Sequence, residues 1–338
     1  MGLSVGRWAV LLLAAALLAP GAAALAEEVH EIRIAKQFGI SYLPITVMEV
    51  RGLIEKQAKA RGLGEIKVTW AQFSSGAPMN DALLSNSLDI VSGGIGPLLT
   101  IWARTKGNLN VKGAAALNSM PLYLNTIDPA IKTIKDFTEK DRIALPAVKI
   151  SVQAIILQMA AEAAYGPGKQ DMLDRLTVSM AHPDANNAMM SGKSEVTAHF
   201  GSPPYQYSQL EDKRVHRVLN SYEVFGGPGI FNAVWTTTRF HDQNPKLYGA
   251  FLAALDEAVQ FITSDHADAA ALYIKADDPK APPAFIRKIL DDPENVFTTT
   301  PQNVMKYAGF MHRTGAIKEL PQSWQDVFFP ELHGKPGS

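Results

Sequence analysis

The chain contains no cysteine in its 338 residues. This absence excludes disulfide bonds, thiol nucleophiles, cysteine-ligated metal sites and a lipid-modified cysteine at a cleavage site. An excess of charge of either sign is also missing, since 32 Lys and Arg residues face 33 Asp and Glu residues. Nothing in this balance favours a nucleic acid or an anionic membrane surface as a partner. Local geometry, and not the overall field, must therefore attract whatever the protein binds.

Apolar runs long enough to span a bilayer are missing too, because such a helix needs about 20 residues. An unbroken apolar run covers only residues 8–18, after a short start whose single charge is Arg7. Ala24-Leu25-Ala26 then places small residues at the two positions that a signal peptidase reads. We predict a signal peptide at residues 1–26, cleaved near Ala26, and an exported, soluble mature protein.

The remaining chain has the composition of a globular protein, with 47% hydrophobic and 19% charged residues. Short strands alternate with helices, which is typical of α/β folds. In the first half, strands are predicted at 32–36, 66–71 and 89–92. Helices are predicted at 44–60, after residues 74–76 through Leu84, and after residues 93–97 through about Arg104. The pattern then restarts, with strands predicted at 142–145, 176–179 and 196–200, and helices at 151–164, 184–190 and 204–210.

Two α/β units in one chain of this length indicate two similar lobes. The chain crosses between them at residues 117–125 and returns at 220–235, where four consecutive Gly and Pro residues permit a bend. The predicted first lobe comprises 27–117 plus 226–338, and the second lobe comprises 118–225. Beyond the return crossing we expect mainly helix, including one at 245–263 and one that begins at Thr300-Pro301.

Several segments resemble the nitrate/sulfonate/taurine class of ABC-importer binding proteins. They are IRIAKQ at 32–37, VTW at 68–70, FSSG at 73–76, ALLSNSLDI at 82–90, GIGP at 94–97, IKDF at 134–137 and RIAL at 142–145. The resemblance implies a two-lobed type II periplasmic-binding-protein fold of α/β class. Each lobe would be a mixed, mostly parallel sheet flanked by helices, with two inter-lobe crossings and a ligand cleft.

The same resemblance implies a function as the periplasmic solute-binding component of an ABC importer. The protein would capture a small organic anion (a sulfonate, a taurine-like molecule or a carboxylate) by hinge closure. It would then deliver the anion to an inner-membrane permease with its ATPase, as a monomer, without a cofactor and without catalysis. The turn at 199–205 reads HFGSPPY and departs from the Trp-Asp-Pro-like turn frequent in the class. The ligand therefore does not transfer, and nitrate, aromatic carboxylates and pyrimidines stay open as well.

Ligands of such sheets bind past the carboxyl ends of the strands, where helix N-termini present unpaired N–H groups to anions. Ser74-Ser75-Gly76 and Ser151-Val152-Gln153 stand at two such helix starts, although serine is also an ordinary helix cap. Aromatic and histidine side chains at strand ends either contact the ligand or complete the core. The predicted ligand-binding residues are Gln37, Phe38, Tyr42, Ser74, Ser75, Gly76, Gly94, Ile95, Asn118, Ser151, Val152, Gln153, His199, Phe200 and Gly201. His182 is interpreted as a structural residue at a helix start.

Three common catalytic motifs give no support to an enzymatic function. Gly192-Lys193-Ser194 resembles the end of a phosphate loop, but Asn187 stands where that loop needs glycine. The chain has no His-Glu-x-x-His metal helix and no Gly-x-Ser-x-Gly elbow. An exported enzyme on the same fold is one alternative, although related pyrimidine-forming enzymes use a cysteine-containing motif. A binding protein for a pyrimidine-type or aromatic carboxylate ligand, or one that presents its ligand state to a sensor receptor, is the other.

Overall fold

The computed structural model describes residues 28–338, so the predicted signal peptide lies outside the described residues. The strands are β1 (Glu31–Lys36), β2 (Lys67–Gln72), β3 (Ile90–Gly94), β4 (Lys112–Ser119), β5 (Tyr123–Thr126), β6 (Arg142–Leu145), β7 (Thr177–Ser179), β8 (Val196–Phe200), β9 (His216–Asn220), β10 (Ile230–Thr236) and β11 (Val296–Phe297). The helices are α1 (Leu43–Arg51), α2 (Leu53–Ala60), α3 (Gly76–Leu84), α4 (Ile95–Thr105), α5 (Val152–Tyr165), α6 (His182–Ser191), α7 (Tyr205–Gln209), α8 (Ser221–Phe225), α9 (Thr238–Gln243), α10 (Pro245–Ser264), α11 (His266–Ala276), α12 (Pro283–Asp291) and α13 (Val304–Arg313).

The strands form two sheets, each flanked by helices. The first has six strands in the order β11-β4-β10-β3-β1-β2. β1 pairs in parallel with β2 and β3, whereas β10 runs antiparallel between β3 and β4. All seven residues of β10 are buried, as expected for a central strand rich in β-branched and aromatic side chains. We call this sheet with its helices the first lobe.

The second sheet has five strands in the order β7-β6-β8-β5-β9. β6 pairs in parallel with β7 and β8, and β5 runs antiparallel between β8 and β9. The chain enters this second lobe between β4 and β5 and leaves it between β9 and β10. The α/β fold with two sheets and two crossings is thus confirmed, while the exact lobe boundaries stay a prediction.

The two sheets contain more antiparallel strand pairs than the sequence pattern predicts. Among the described strands, four pairs are parallel and five are antiparallel. The reason is that the strands next to each crossing, β4, β5, β9 and β10, belong to the sheets and reverse the chain direction. The predicted return crossing at 220–235 therefore contains α8 and most of β10.

Two predicted helices also differ in their limits. The helix predicted at 44–60 is divided at Gly52, whose φ of 59° is left-handed and ends α1. The helix expected to begin at Thr300-Pro301 begins instead at Val304, after Asn303. In residues 28–338, no helix is both long enough and apolar enough to cross a membrane.

Candidate functional site

Four helices begin at one cavity between the two sheets. In the first lobe, α3 begins after Ser75 and α4 begins after Gly94. In the second lobe, α5 begins after Ser151 and α6 begins at His182. These four residues all line the same cavity. Because the first turn of each helix carries unpaired N–H groups and a partial positive charge, the cavity favours an anion.

The cavity is small, and its described lining contains no Asp, Glu, Lys or Arg side chain, and one histidine. Its wall consists of Gln37, Tyr42, Ser75, Gly76, Gly94, Pro97, Pro146, Ala147, Ser151, Val152, Gln153, His182, Phe231 and Asn232. Its volume is about 20 Å³, and one water molecule needs about 10–15 Å³ by the same measure. The space therefore holds about one water molecule. Within residues 28–338, no three His, Asp or Glu side chains are grouped to hold a metal ion.

On the side of the first lobe, Asn232 offers an unused donor. The Tyr42 hydroxyl lies 3.3 Å from Asn232 Oδ1 and donates to it, while the Asn232 backbone N–H donates to Asn118 Oδ1 at 3.3 Å. Asn232 Nδ2 is buried without a hydrogen-bond partner in the described residues. A buried amide N–H without a partner costs about 1–3 kcal/mol, so a ligand acceptor at this point would be favourable.

The two serines at the helix starts behave differently. Ser75 precedes α3 in an extended conformation, and its side chain makes no capping hydrogen bond, so its hydroxyl is available to a ligand. Ser151 accepts a hydrogen bond from the Ala154 N–H at 3.2 Å and therefore caps α5 in the ordinary way. Both residues are buried at the cavity wall, and for Ser151 capping and a place at the wall coexist.

Two neutral histidines belong to the second lobe, His182 at the cavity wall and His199 behind it. His182 Nδ1 is 2.8 Å from His199 Nε2. Burial lowers the pKa of His182 to about 3, and burial together with the neighbouring ring lowers the pKa of His199 well below its usual value. Both imidazoles are therefore neutral at pH 7 and can act as hydrogen-bond donors without bringing a charge.

The lobes touch closely beside the cavity. A Cβ added at Gly94 would lie 2.6 Å from Val152 Cγ2, and one added at Gly96 would lie 2.3 Å from the Ile150 carbonyl oxygen. Only glycine allows this approach of the two lobes. Arg313 and Glu162 add a two-pronged ion pair between α13 and α5, with both N–O distances 2.7 Å. The structure is therefore a closed form.

Eight of the fifteen predicted ligand-binding residues line the cavity. They are Gln37, Tyr42, Ser75, Gly76, Gly94, Ser151, Val152 and Gln153. The other seven are Phe38, Ser74, Ile95, Asn118, His199, Phe200 and Gly201. Ile95 and Phe200 are part of the hydrophobic core, and His199 lies behind His182. Asn118 donates to the Ser41 carbonyl and supports Asn232 from behind.

Ser74 borders a second, outer depression of about 500 Å³ at the edge of the same cleft. Ser75, Pro146 and Ala147 border both spaces. The wall of the outer depression is mainly apolar, with Ala77, Pro78, Val148, Ile150 and Met180. A ligand head group in the cavity could thus continue as an organic chain towards solvent.

Six lining residues are not among the predicted ligand-binding residues: Pro97, Pro146, Ala147, His182, Phe231 and Asn232. His182 stands at a helix start that follows a strand, as Ser75 and Ser151 do. This position at a helix start is the sequence feature that could have identified His182 as a lining residue. Asn232 and Phe231 carried no such signal, because their strand was interpreted as part of a crossing.

Solved structures of known proteins share this fold. The alkanesulfonate-binding protein SsuA from Xanthomonas axonopodis pv. citri, bound to MOPS, matches with a TM-score of 0.69 and 18% identity, over 90% of this chain and 97% of that chain. The periplasmic aliphatic sulphonate binding protein SsuA from Escherichia coli matches with a TM-score of 0.65 and 19% identity, over 89% and 99% of the two chains.

The periplasmic nitrate-binding protein NrtA from Synechocystis PCC 6803 matches with a TM-score of 0.60 and 17% identity, over 80% of this chain and 74% of that chain. No family model matches the sequence, and no curated protein matches it. At these identities the likeness concerns the fold, which is that of the periplasmic binding proteins.

Proposed function

We propose that this chain is the periplasmic solute-binding component of an ABC importer and that it captures a small organic anion in the cavity between its lobes. The anion is a sulfonate, a taurine-like molecule or a carboxylate. The protein binds its ligand without catalysis, and the closed complex delivers it to an inner-membrane permease with its ATPase. The sulfonate- and nitrate-binding proteins that share the fold support this class of function.

The observation that carries the proposal is the meeting of four helix N-termini, two from each lobe, at a cavity without acidic or basic side chains other than His182. Backbone N–H groups, the Ser75 hydroxyl and Asn232 Nδ2 can hold an anion together. A lysine or arginine in the same place would be a buried, unpaired charge whenever the ligand is absent, which is costly. Neutral donors avoid that cost.

Closure follows from the division of the site between the lobes. Ser75, Gly94 and Asn232 belong to the first lobe, whereas Ser151 and Gln153 belong to the second. A ligand that contacts both sets is bound more tightly in the closed form than in the open form, and it therefore shifts the population towards closure. Periplasmic binding proteins are established examples of such hinge closure.

A thermal-shift screen of the purified protein tests the function. The panel contains alkanesulfonates, taurine, nitrate, aromatic mono- and dicarboxylates and pyrimidines. A ligand at 100 times its Kd stabilises the folded protein by about 2.7 kcal/mol, so a true ligand should raise the Tm by several degrees. We expect one anion class to do so, with confirmation by calorimetry. A panel in which only neutral pyrimidines shift the Tm would contradict the anion proposal.

Replacing Ser75 by aspartate should remove anion binding. The new carboxylate would lie at the cavity wall, and two unit charges 4 Å apart repel by about 4 kcal/mol at an effective dielectric constant of 20. This corresponds to a loss of about 1000-fold in affinity. Aspartate is a good residue before a helix, so the fold should persist.

The matched control is Ser87→Asp, which adds the same charge at an exposed position of the same lobe. Calorimetry with the anion found in the screen should show wild-type affinity for this control. Unchanged affinity in Ser75→Asp would mean that the site does not lie at the start of α3.

A further inference from the structure

A chain of buried polar side chains leads from β5 to the cavity. Asn125 Nδ2 donates to the Gln206 backbone carbonyl at 2.9 Å and to Gln209 Oε1 at 3.0 Å. A backbone carbonyl can only accept, so the first bond fixes the orientation of the Asn125 amide, and the second fixes that of Gln209. Gln209 Nε2 then donates to Asn186 Oδ1 at 3.1 Å and to His199 Nδ1 at 2.7 Å.

These bonds determine the position of the proton on each histidine. A neutral imidazole carries one proton, and its other nitrogen accepts. His199 Nδ1 accepts from Gln209, so the His199 proton is on Nε2, which lies 2.8 Å from His182 Nδ1. His182 Nδ1 accepts in turn, and its proton is also on Nε2. Burial keeps both rings neutral by lowering their pKa values.

The last link reaches the cavity wall. His182 Nε2 is 3.3 Å from Gln153 Nε2, and both side chains line the cavity. Two N–H donors do not bond to each other. Either the His182 N–H points to a ligand, or the Gln153 amide turns its oxygen to His182 and presents its NH₂ group to the cavity. In both arrangements the second lobe offers the ligand a donor, opposite the unpartnered Asn232 Nδ2 of the first lobe.

We propose that Asn125, Gln209 and His199 are positioning residues that fix the His182 tautomer and thereby make the second-lobe wall a hydrogen-bond donor. The inference rests on the proposed function and deepens it by naming the selected chemistry. The site takes an oxyanion, whose oxygens only accept, and rejects a neutral isostere that brings its own N–H to the same point. A primary sulfonamide is such an isostere of a sulfonate, and a carboxamide is one of a carboxylate.

The tautomers can be read directly, without any ligand. In the purified protein labelled with ¹⁵N-histidine, long-range ¹H–¹⁵N correlation spectra at pH 7 distinguish a ring protonated on Nε2 from one protonated on Nδ1. Signals of His182 and His199 are assigned by their loss in His182→Gln and His199→Gln. We expect both rings to be neutral with the proton on Nε2. A proton on Nδ1 of either ring, or a charged ring, overturns the inference whether or not an anion binds.

A second experiment measures selectivity in Gln209→Met, which keeps the side-chain length and removes the donor to His199. The probes are the pair that matches the anion class found, ethanesulfonate with ethanesulfonamide or benzoate with benzamide. We expect the wild type to bind the anion at least 100-fold more tightly than its neutral isostere. In the variant this preference should fall at least 10-fold, because His182 Nε2 can then face the ligand either with a proton, as a donor, or without one, as an acceptor.

Gln158→Met is the matched control, because it removes an amide that donates to Asp174 in the same lobe but does not line the cavity. The control should keep the wild-type preference. If Gln209→Met weakens both probes equally, Gln209 has only a structural role and the positioning inference is wrong. If the tautomers are as expected but no anion binds, the positioning of His182 by Asn125, Gln209 and His199 is confirmed and the proposed function is wrong.

Discussion

Replacing Gly96 by alanine is expected to weaken ligand binding about 100-fold while each lobe stays folded. The new methyl group would lie 2.3 Å from the Ile150 carbonyl oxygen and 2.6 Å from Ile155 Cδ1, both in the other lobe. Overpacking typically costs about 1–3 kcal/mol, or about 5- to 150-fold in affinity. The upper end applies because a backbone carbonyl cannot turn aside. Within its own helix alanine is more favourable than glycine, so α4 should not be weakened.

Calorimetry and small-angle scattering together check this expectation. In the presence of the ligand, Gly96→Ala should have a larger radius of gyration than the wild type, because its lobes cannot meet. Gly309→Ala is the control, since a Cβ there meets no atom within 4 Å of the described structure. Full affinity in Gly96→Ala would show that binding does not need the closed arrangement.

Mild acid is expected to destabilise the unliganded protein steeply. The folded-state pKa of His182 is about 3 and that of His199 is also far below its usual value, whereas an unfolded histidine titrates near pH 6.5. Below pH 6.5 the unfolded state therefore binds more protons, and the free energy of unfolding falls as the pH falls. Two histidines contribute a slope of about 2.7 kcal/mol per pH unit once the unfolded rings are charged. That is a large part of the roughly 5–15 kcal/mol that stabilises a typical protein.

Urea unfolding between pH 5 and 6.5 measures this slope while most carboxylates stay ionised. His182→Gln should lose about half of it, because one of the two buried rings is gone. His312→Gln, an exposed histidine at the end of α13, should keep the full slope. A wild-type free energy of unfolding that is flat over this range would mean that the folded rings are already protonated, which would contradict their burial as neutral groups.

The local βα units were predictable because their signals are local. β6 and β8 occupy the predicted residues 142–145 and 196–200, since each is a short apolar run bounded by polar or turn residues. The helix starts at Ser75 and Ser151 follow from the same kind of local chemistry, a serine or glycine directly before an apolar helix. Six residues of the cavity wall were found in this way: Ser75, Gly76, Gly94, Ser151, Val152 and Gln153.

The strands that complete each sheet were not predictable in the same way. β10 follows four Gly and Pro residues that suggested a flexible crossing, and its place between β3 and β4 depends on pairing with distant residues. Asn232 reaches the cavity only through that placement. Likewise the hydrogen-bonded side chains that lead to His182 come from β5, α7 and β8, and no spacing in the sequence connects them.

The central position of β10 also orders events in time. A polypeptide is made from its N-terminus, so β1, β2, β3 and β4 are available long before the strand that fits between β3 and β4. All strands of the second sheet are made in the interval. The second sheet can therefore assemble first, while the earlier-made one waits with a gap at its centre.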